Sequence, residues 1–98
     1  MKYTTNAPNG AIMLDERQPG WADEIDLDAL EMTLTEACIL SQLYGDYYDG
    51  LDVLFPDMYR SDQEKMASRY GFILLEDNHS TWQALQAEWE QLVADRQG

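Results

Sequence analysis

Between residues 21 and 59 the chain carries ten carboxylates (Asp23, Glu24, Asp26, Asp28, Glu31, Glu36, Asp46, Asp49, Asp52 and Asp57) and not one lysine or arginine. The strongest central helix signal lies inside the same stretch, so any fold has to accommodate both. Thr33-Leu34-Thr35-Glu36 reads as a capping box, in which the Thr33 hydroxyl accepts from the Glu36 N–H and the Glu36 carboxylate reaches back to Thr33. Counting on at about 100° per residue puts Ala37, Leu40, Leu43, Tyr44, Tyr47, Leu51 and Leu54 within one arc of about 120°. Asp46, Asp49 and Asp52 fall opposite. The pattern predicts one helix over 34–54 with a core face and an acidic face. Gly45 and Gly50 oppose it, at about 1 kcal/mol each relative to alanine. A break near Gly45 is the alternative. Ile39 and Val53 sit off the main arc and imply burial against more than one neighbour.

The formal net charge of −13 narrows the functions open to the chain. Nucleic acid and anionic membranes carry the same sign, so neither is an expected direct partner. A basic protein surface is. At 98 residues the chain is one domain, a size that buries roughly 60–68% of the unfolded surface. No run of 18 apolar residues exists, so no membrane span is expected. An apolar signal region is absent near the N-terminus as well. The single cysteine, Cys38, excludes an internal disulfide and fits a reducing cytoplasm. On a continuous helix it would lie on the polar side, with a structural role expected.

Residues 1–9 are polar and read as a loose lead-in ending in the turn cluster Asn6-Ala7-Pro8-Asn9-Gly10, so that 10–98 form the single helical domain. Residues 11–14 suit a short helix or a strand. Gln18-Pro19-Gly20 stops them in a tight turn. Residues 21–32 alternate acid with Ile25, Leu27 and Leu30, and neither this segment nor 46–52 completes a calcium-loop pattern. Phe55-Pro56-Asp57 ends the main helix. Ser61-Asp62-Gln63-Glu64 is a second capping box, opening a short helix that Gly71 closes as a left-handed cap. Arg60, Lys65 and Arg69 cluster here and are expected to pair with the acidic stretch. Residues 72–75 are a buried connector or a strand whose only partner would be 11–14. Ser80-Thr81-Trp82-Gln83, a third capping box, opens a final amphipathic helix to about Arg96 through Trp82, Leu85, Trp89, Leu92 and Val93.

The fold class is therefore mainly α, a bundle of about four helices, with a minor pairing of 11–14 and 72–75 as a variant. In it the main helix packs against the final one and the helix at 61–70 bridges them. Catalytic groups are scarce. His79 is the only histidine and Cys38 is distant in sequence, so no ordinary zinc site can be assembled. A phosphate-binding glycine loop and a nucleophile elbow are both missing. No metal, cofactor or enzymatic activity is expected.

Pro19-Gly20-Trp21, Ile25-Asp26-Leu27, then Cys38, Leu40, Gln42-Leu43, Gly45, Tyr47 and Gly50-Leu51 give a string that resembles small proteins of actinobacteriophages. Gly71-Phe72 and Trp89 match later features of that pattern, while Ser41 departs from it where a glycine is common. The resemblance spans about residues 10 to 92. It implies a phage gene product in the cytoplasm of a bacterial host and carries no implied activity.

The expected function is non-enzymatic binding of a host or phage protein. The candidate partner-binding residues are the acidic set Asp23, Glu24, Asp26, Asp28, Glu31, Asp46, Asp49 and Asp52. The alternative surface is the aromatic stripe Trp82 and Trp89, read first as core and otherwise as a docking face for another protein or another copy of the chain. The alternative function is DNA mimicry. Duplex DNA carries about one charge per 1.7 Å of axis and about one per 3.4 Å along one strand. A helix with one carboxylate every third residue offers about one per 4.5 Å. Mimicry would therefore need the carboxylates of 23–31 beside those of 46–52.

Overall fold

Ala7, Gly10, Ala11 and Leu14 recur at helical spacing, and that mostly small face decides how the N-terminal helix packs. The computed structural model describes residues 6–34, 36–74 and 79–97. Among them are five α-helices, α1 (Ala7–Arg17), α2 (Ile39–Tyr44), α3 (Tyr47–Leu54), α4 (Arg60–Arg69) and α5 (His79–Arg96), with a 3-10 turn at Trp21–Glu24. The described residues contain no strand. The molecule is a small, compact helical bundle.

Pro8 occupies the first turn of α1, where its missing N–H costs nothing, and Arg17 closes the last turn. Residues 11–14 are thus helical, and the pairing with 72–75 is not made; Leu75 itself lies outside the described residues. The lead-in expected up to residue 9 is shorter, because the chain is helical from Ala7; residues 1–5 lie outside the description. Gly10 is a packing residue and not a turn residue. A Cβ there would lie 2.1 Å from the Tyr70 carbonyl oxygen and 3.0 Å from the Trp89 ring. The small face lets α1 lie directly on α5, and that contact replaces the expected packing of a long central helix on α5.

The long central helix does not form. Gly45 takes φ +89° and ends α2, its N–H bonding to the Ser41 carbonyl at 2.8 Å. Asp46 then starts α3, its carboxylate accepting from the Tyr48 N–H at 2.7 Å. The chain folds back on itself, and α2 packs against α3. A Cβ on Gly50 would sit 2.9 Å from the Leu40 Cβ. The two glycines that count against a straight helix are the two the hairpin uses, one for its turn and one for its close approach. The Thr33 box is also unused: helix begins only at Ile39, and the Thr33 hydroxyl donates to Glu31 at 3.0 Å. Cys38 is the residue before α2 and is buried, not on a polar face.

Gln18-Pro19-Gly20 forms the expected turn, with Gly20 at φ +85° and the Trp21 N–H bonded to the Gln18 carbonyl at 3.0 Å. The helix at 60–69 ends as expected on Gly71, at φ +72°. The N–H groups of Gly71 and Phe72 return to the carbonyls of Ser68 and Ala67 at 3.2 and 2.9 Å, a complete Schellman closure. Its start differs: the helix begins at Arg60 after Tyr59, so Ser61 lies inside it and caps nothing. Ser80 likewise falls one residue inside α5, and its side chain is outside the described residues.

The core centres on Trp89. Its ring is fully buried, stacks on Phe72 at 5.6 Å between centroids and meets Trp21 edge-on at 5.9 Å. Its indole N–H donates to the Gly71 carbonyl at 2.7 Å. Among the described residues no helix is long and apolar enough to cross a membrane.

Candidate interaction surface

The acidic segment after the 3-10 turn has no regular structure, so its buried backbone groups need partners from elsewhere. Three glutamines supply them. Gln42 accepts from the Asp26 N–H at 2.7 Å and donates to the Asp26 carbonyl at 3.2 Å. Gln86 accepts from the Met32 N–H at 2.7 Å and donates to the Leu30 carbonyl at 2.8 Å. Gln97 donates to the carbonyls of Ala22 and Ile25 at 3.0 and 2.9 Å. A primary amide both donates and accepts, so it can close a backbone N–H and C=O together without adding charge. Ile25, Leu30 and Met32 are buried beneath the pinned backbone, while Asp23, Glu24, Asp26, Asp28 and Glu31 stay exposed.

A fourth glutamine does the same for α3. Gln63, itself buried, donates to the carbonyls of Leu51 and Phe55 and to the Asp52 carboxylate, and accepts from Arg60 at 2.9 Å. None of these glutamines stood out in the sequence. The residual signal was a polar residue at a helical position facing apolar neighbours, as Gln63 faces with Ala67.

All eight candidate carboxylates are exposed; Asp23 borders the Asp15–Arg96 pair, and the other seven fall into three groups. Glu24 and Asp26 lie over α2. Burial is the main cause of the raised Tyr44 phenol pKa, and the Glu24 charge adds to it. Asp28 and Glu31 line grooves along α5 that Glu90 shares. Asp46, Asp49 and Asp52 belong to the start and outer face of α3. Some of these side chains are partly used. Asp46 caps α3, Asp26 accepts from the Asp28 N–H at 3.0 Å, Glu31 accepts from Thr33, and Asp52 meets Arg60 at 3.4 Å. Asp23, Glu24, Asp28 and Asp49 accept no hydrogen bond among the described residues.

The expected pairing of the three cations at 60–69 holds for Arg60 alone. Arg69 lies 3.9 Å from the Met66 sulfur, and among the described residues the only other ion pair is Arg96–Asp15 at 2.8 Å. That second pair closes α5 onto α1. The Arg96 hydrogen bond holds the Asp15 carboxyl below its ordinary range, with the Trp21 indole N–H donating to the same group at 2.9 Å.

The aromatic stripe divides between the core and the edge of a surface groove. Trp89 is wholly inside, and Trp82 is half-buried, forming one wall of a groove of about 440 Å³ with Glu31, Thr33 and Gln86. A second groove of about 540 Å³, between α1 and α4, is lined by Ile12, Met13, Glu16, Arg17, Arg69 and Tyr70 among others. Arg17 also donates to the Leu54 carbonyl at 3.0 Å. The side chain of His79 lies outside the described residues.

No protein family, curated protein or solved structure matches the chain.

Proposed function

We propose that this is a small acidic accessory protein, encoded by a bacteriophage and acting in the host cytoplasm by binding another protein through its acidic surface, without catalysis. One observation carries the reading. The acidic segment is held by uncharged glutamines, so its carboxylates are displayed and not consumed by the fold. Among the described residues, only Asp52 of the eight meets a cation. A surface that is almost entirely uncompensated attracts basic partners and accelerates their encounter.

DNA mimicry is the second reading. It needs rows of carboxylates at strand-like spacing, with those of 23–31 beside those of 46–52. The test is affinity capture from bacterial lysate with a rising salt series, run beside an Asp23→Asn, Glu24→Gln, Asp28→Asn, Asp49→Asn variant. A protein retained by the wild type, released by salt and missed by the variant supports the proposal. Equal capture by both overturns it, and release of the captured protein by added duplex DNA would favour mimicry.

A further inference from the structure

Four of the six exposed large hydrophobic side chains among the described residues lie between 48 and 59: Tyr48, Val53, Met58 and Tyr59, the last 83% exposed. Tyr48 and Val53 belong to α3, and Met58 and Tyr59 to the turn joining it to α4. Leu54 and Phe55 are buried, and then Asp57 takes φ +64°, the only positive φ at a described residue other than glycine. That conformation costs about 1 kcal/mol or more in an L-residue, and such strain is characteristic of functional segments. Its effect is to send Met58 and Tyr59 outward.

Arg60 ties the start of α4 to α3 beside them. The Arg60 guanidinium lies 4.7 Å over the Tyr48 ring and donates to the Tyr48 carbonyl at 3.3 Å, to Asp52 at 3.4 Å and to Gln63 at 2.9 Å. The one cation of this corner is thereby committed to the molecule's own groups. Asp49 and Asp52 on α3, Asp57 in the turn and Asp62 on α4 are all exposed.

We propose that this α3–α4 corner docks a cationic amphipathic helix of a second protein, whose apolar stripe covers Met58, Tyr59 and Tyr48 and whose flanking lysines or arginines face Asp49, Asp52, Asp57 and Asp62. The proposal rests on the protein-binding reading above and locates it. Charge selects the occupant. A second copy would bring the same acidic rim and a net charge of −13, and nucleic acid or an anionic membrane would be repelled as well. An exposed tyrosine flanked by polar groups has the make-up of an interface anchor.

The probe is a synthetic leucine–lysine amphipathic helix of about 14 residues, with polylysine as the apolar-free control. Both are titrated into the full chain at physiological ionic strength while backbone amide NMR shifts are followed. The expected result is leucine–lysine peptide shifts confined to residues 48–62, a loss of about tenfold or more in affinity for Tyr59→Ala, and retention by Tyr59→Phe. Polylysine is expected to bind more weakly and without dependence on Tyr59. Shifts centred on residues 23–31, or Tyr59→Ala binding as the wild type, would overturn the corner and leave the acidic-surface reading in place. Failure of both cationic probes to bind would overturn the two together.

Discussion

The region around Trp89 and the acidic segment at 25–34 are held by opposite means. At Trp89 the cohesion is apolar and close-packed. Three aromatic rings meet, and α1 approaches so nearly that only a glycine fits at position 10. Across the acidic segment three apolar side chains are tucked under, and the backbone is closed by amides from α2 and α5 and the Gln97 that follows it. The first region resists change because packing has no slack. The second holds because each buried polar group has a partner, and its charged groups are free of that duty. Separating the two tasks lets a strongly acidic surface sit on an ordinary core.

Breaking the apolar region should cost most. Trp89→Ala removes the shared ring of both aromatic pairs and the bond to the Gly71 carbonyl, and a loss of about 3–5 kcal/mol is expected in urea denaturation. Gly10→Ala sets two effects against each other. Helix propensity favours alanine by about 1 kcal/mol, but a Cβ 2.1 Å from the Tyr70 oxygen forces α1 off the α4–α5 connection. The clash should win, with a net loss of about 1–3 kcal/mol.

Breaking a clamp should cost less and act locally. Gln86→Ala leaves the Met32 N–H and the Leu30 carbonyl without their partner, at about 1–3 kcal/mol. Hydrogen exchange should accelerate at Met32 well before it does at the amides of α1.

The smallest effect is expected where the two regions join, at Asp15–Arg96. The folded Asp15 carboxyl titrates below its ordinary value, so the pair contributes stability above about pH 4. That contribution is lost as pH falls through the lowered folded value. Asp15→Asn should therefore lower the thermal midpoint slightly at neutral pH and leave it unchanged in acid, flattening the acid limb; the effect is small since the aspartate side chain is 45% exposed.

Local features of the fold were legible in the sequence. The Pro19-Gly20 turn, the Gly71 cap and the periodic apolar residues of the last helix each depend on neighbours a few positions away. The central hairpin was misjudged because a helical wheel cannot distinguish one straight helix from two short ones that both face the core. The outcome turned on Gly45 adopting positive φ with Asp46 ready to cap. The extent and role of α1 were missed because most of its buried face is small, and small residues carry little hydrophobic signal. The glutamine clamps join residues up to 75 positions apart, so no local pattern announces them. Of the candidate site, the acidic residues were visible as composition. The exposed corner at 48–59 was hidden, because Tyr59 and Met58 look like core until the Asp57 turn directs them outward.

The account requires the displayed carboxylates to be surplus to folding. Equilibrium urea denaturation of the Asp23→Asn, Glu24→Gln, Asp28→Asn variant tests this directly. A midpoint equal to or above that of the wild type is expected, because three mutually repelling charges are removed and no hydrogen bond is lost. A loss of more than about 1 kcal/mol would show that these carboxylates hold the fold together, and the acidic surface would then lose its standing as a binding surface.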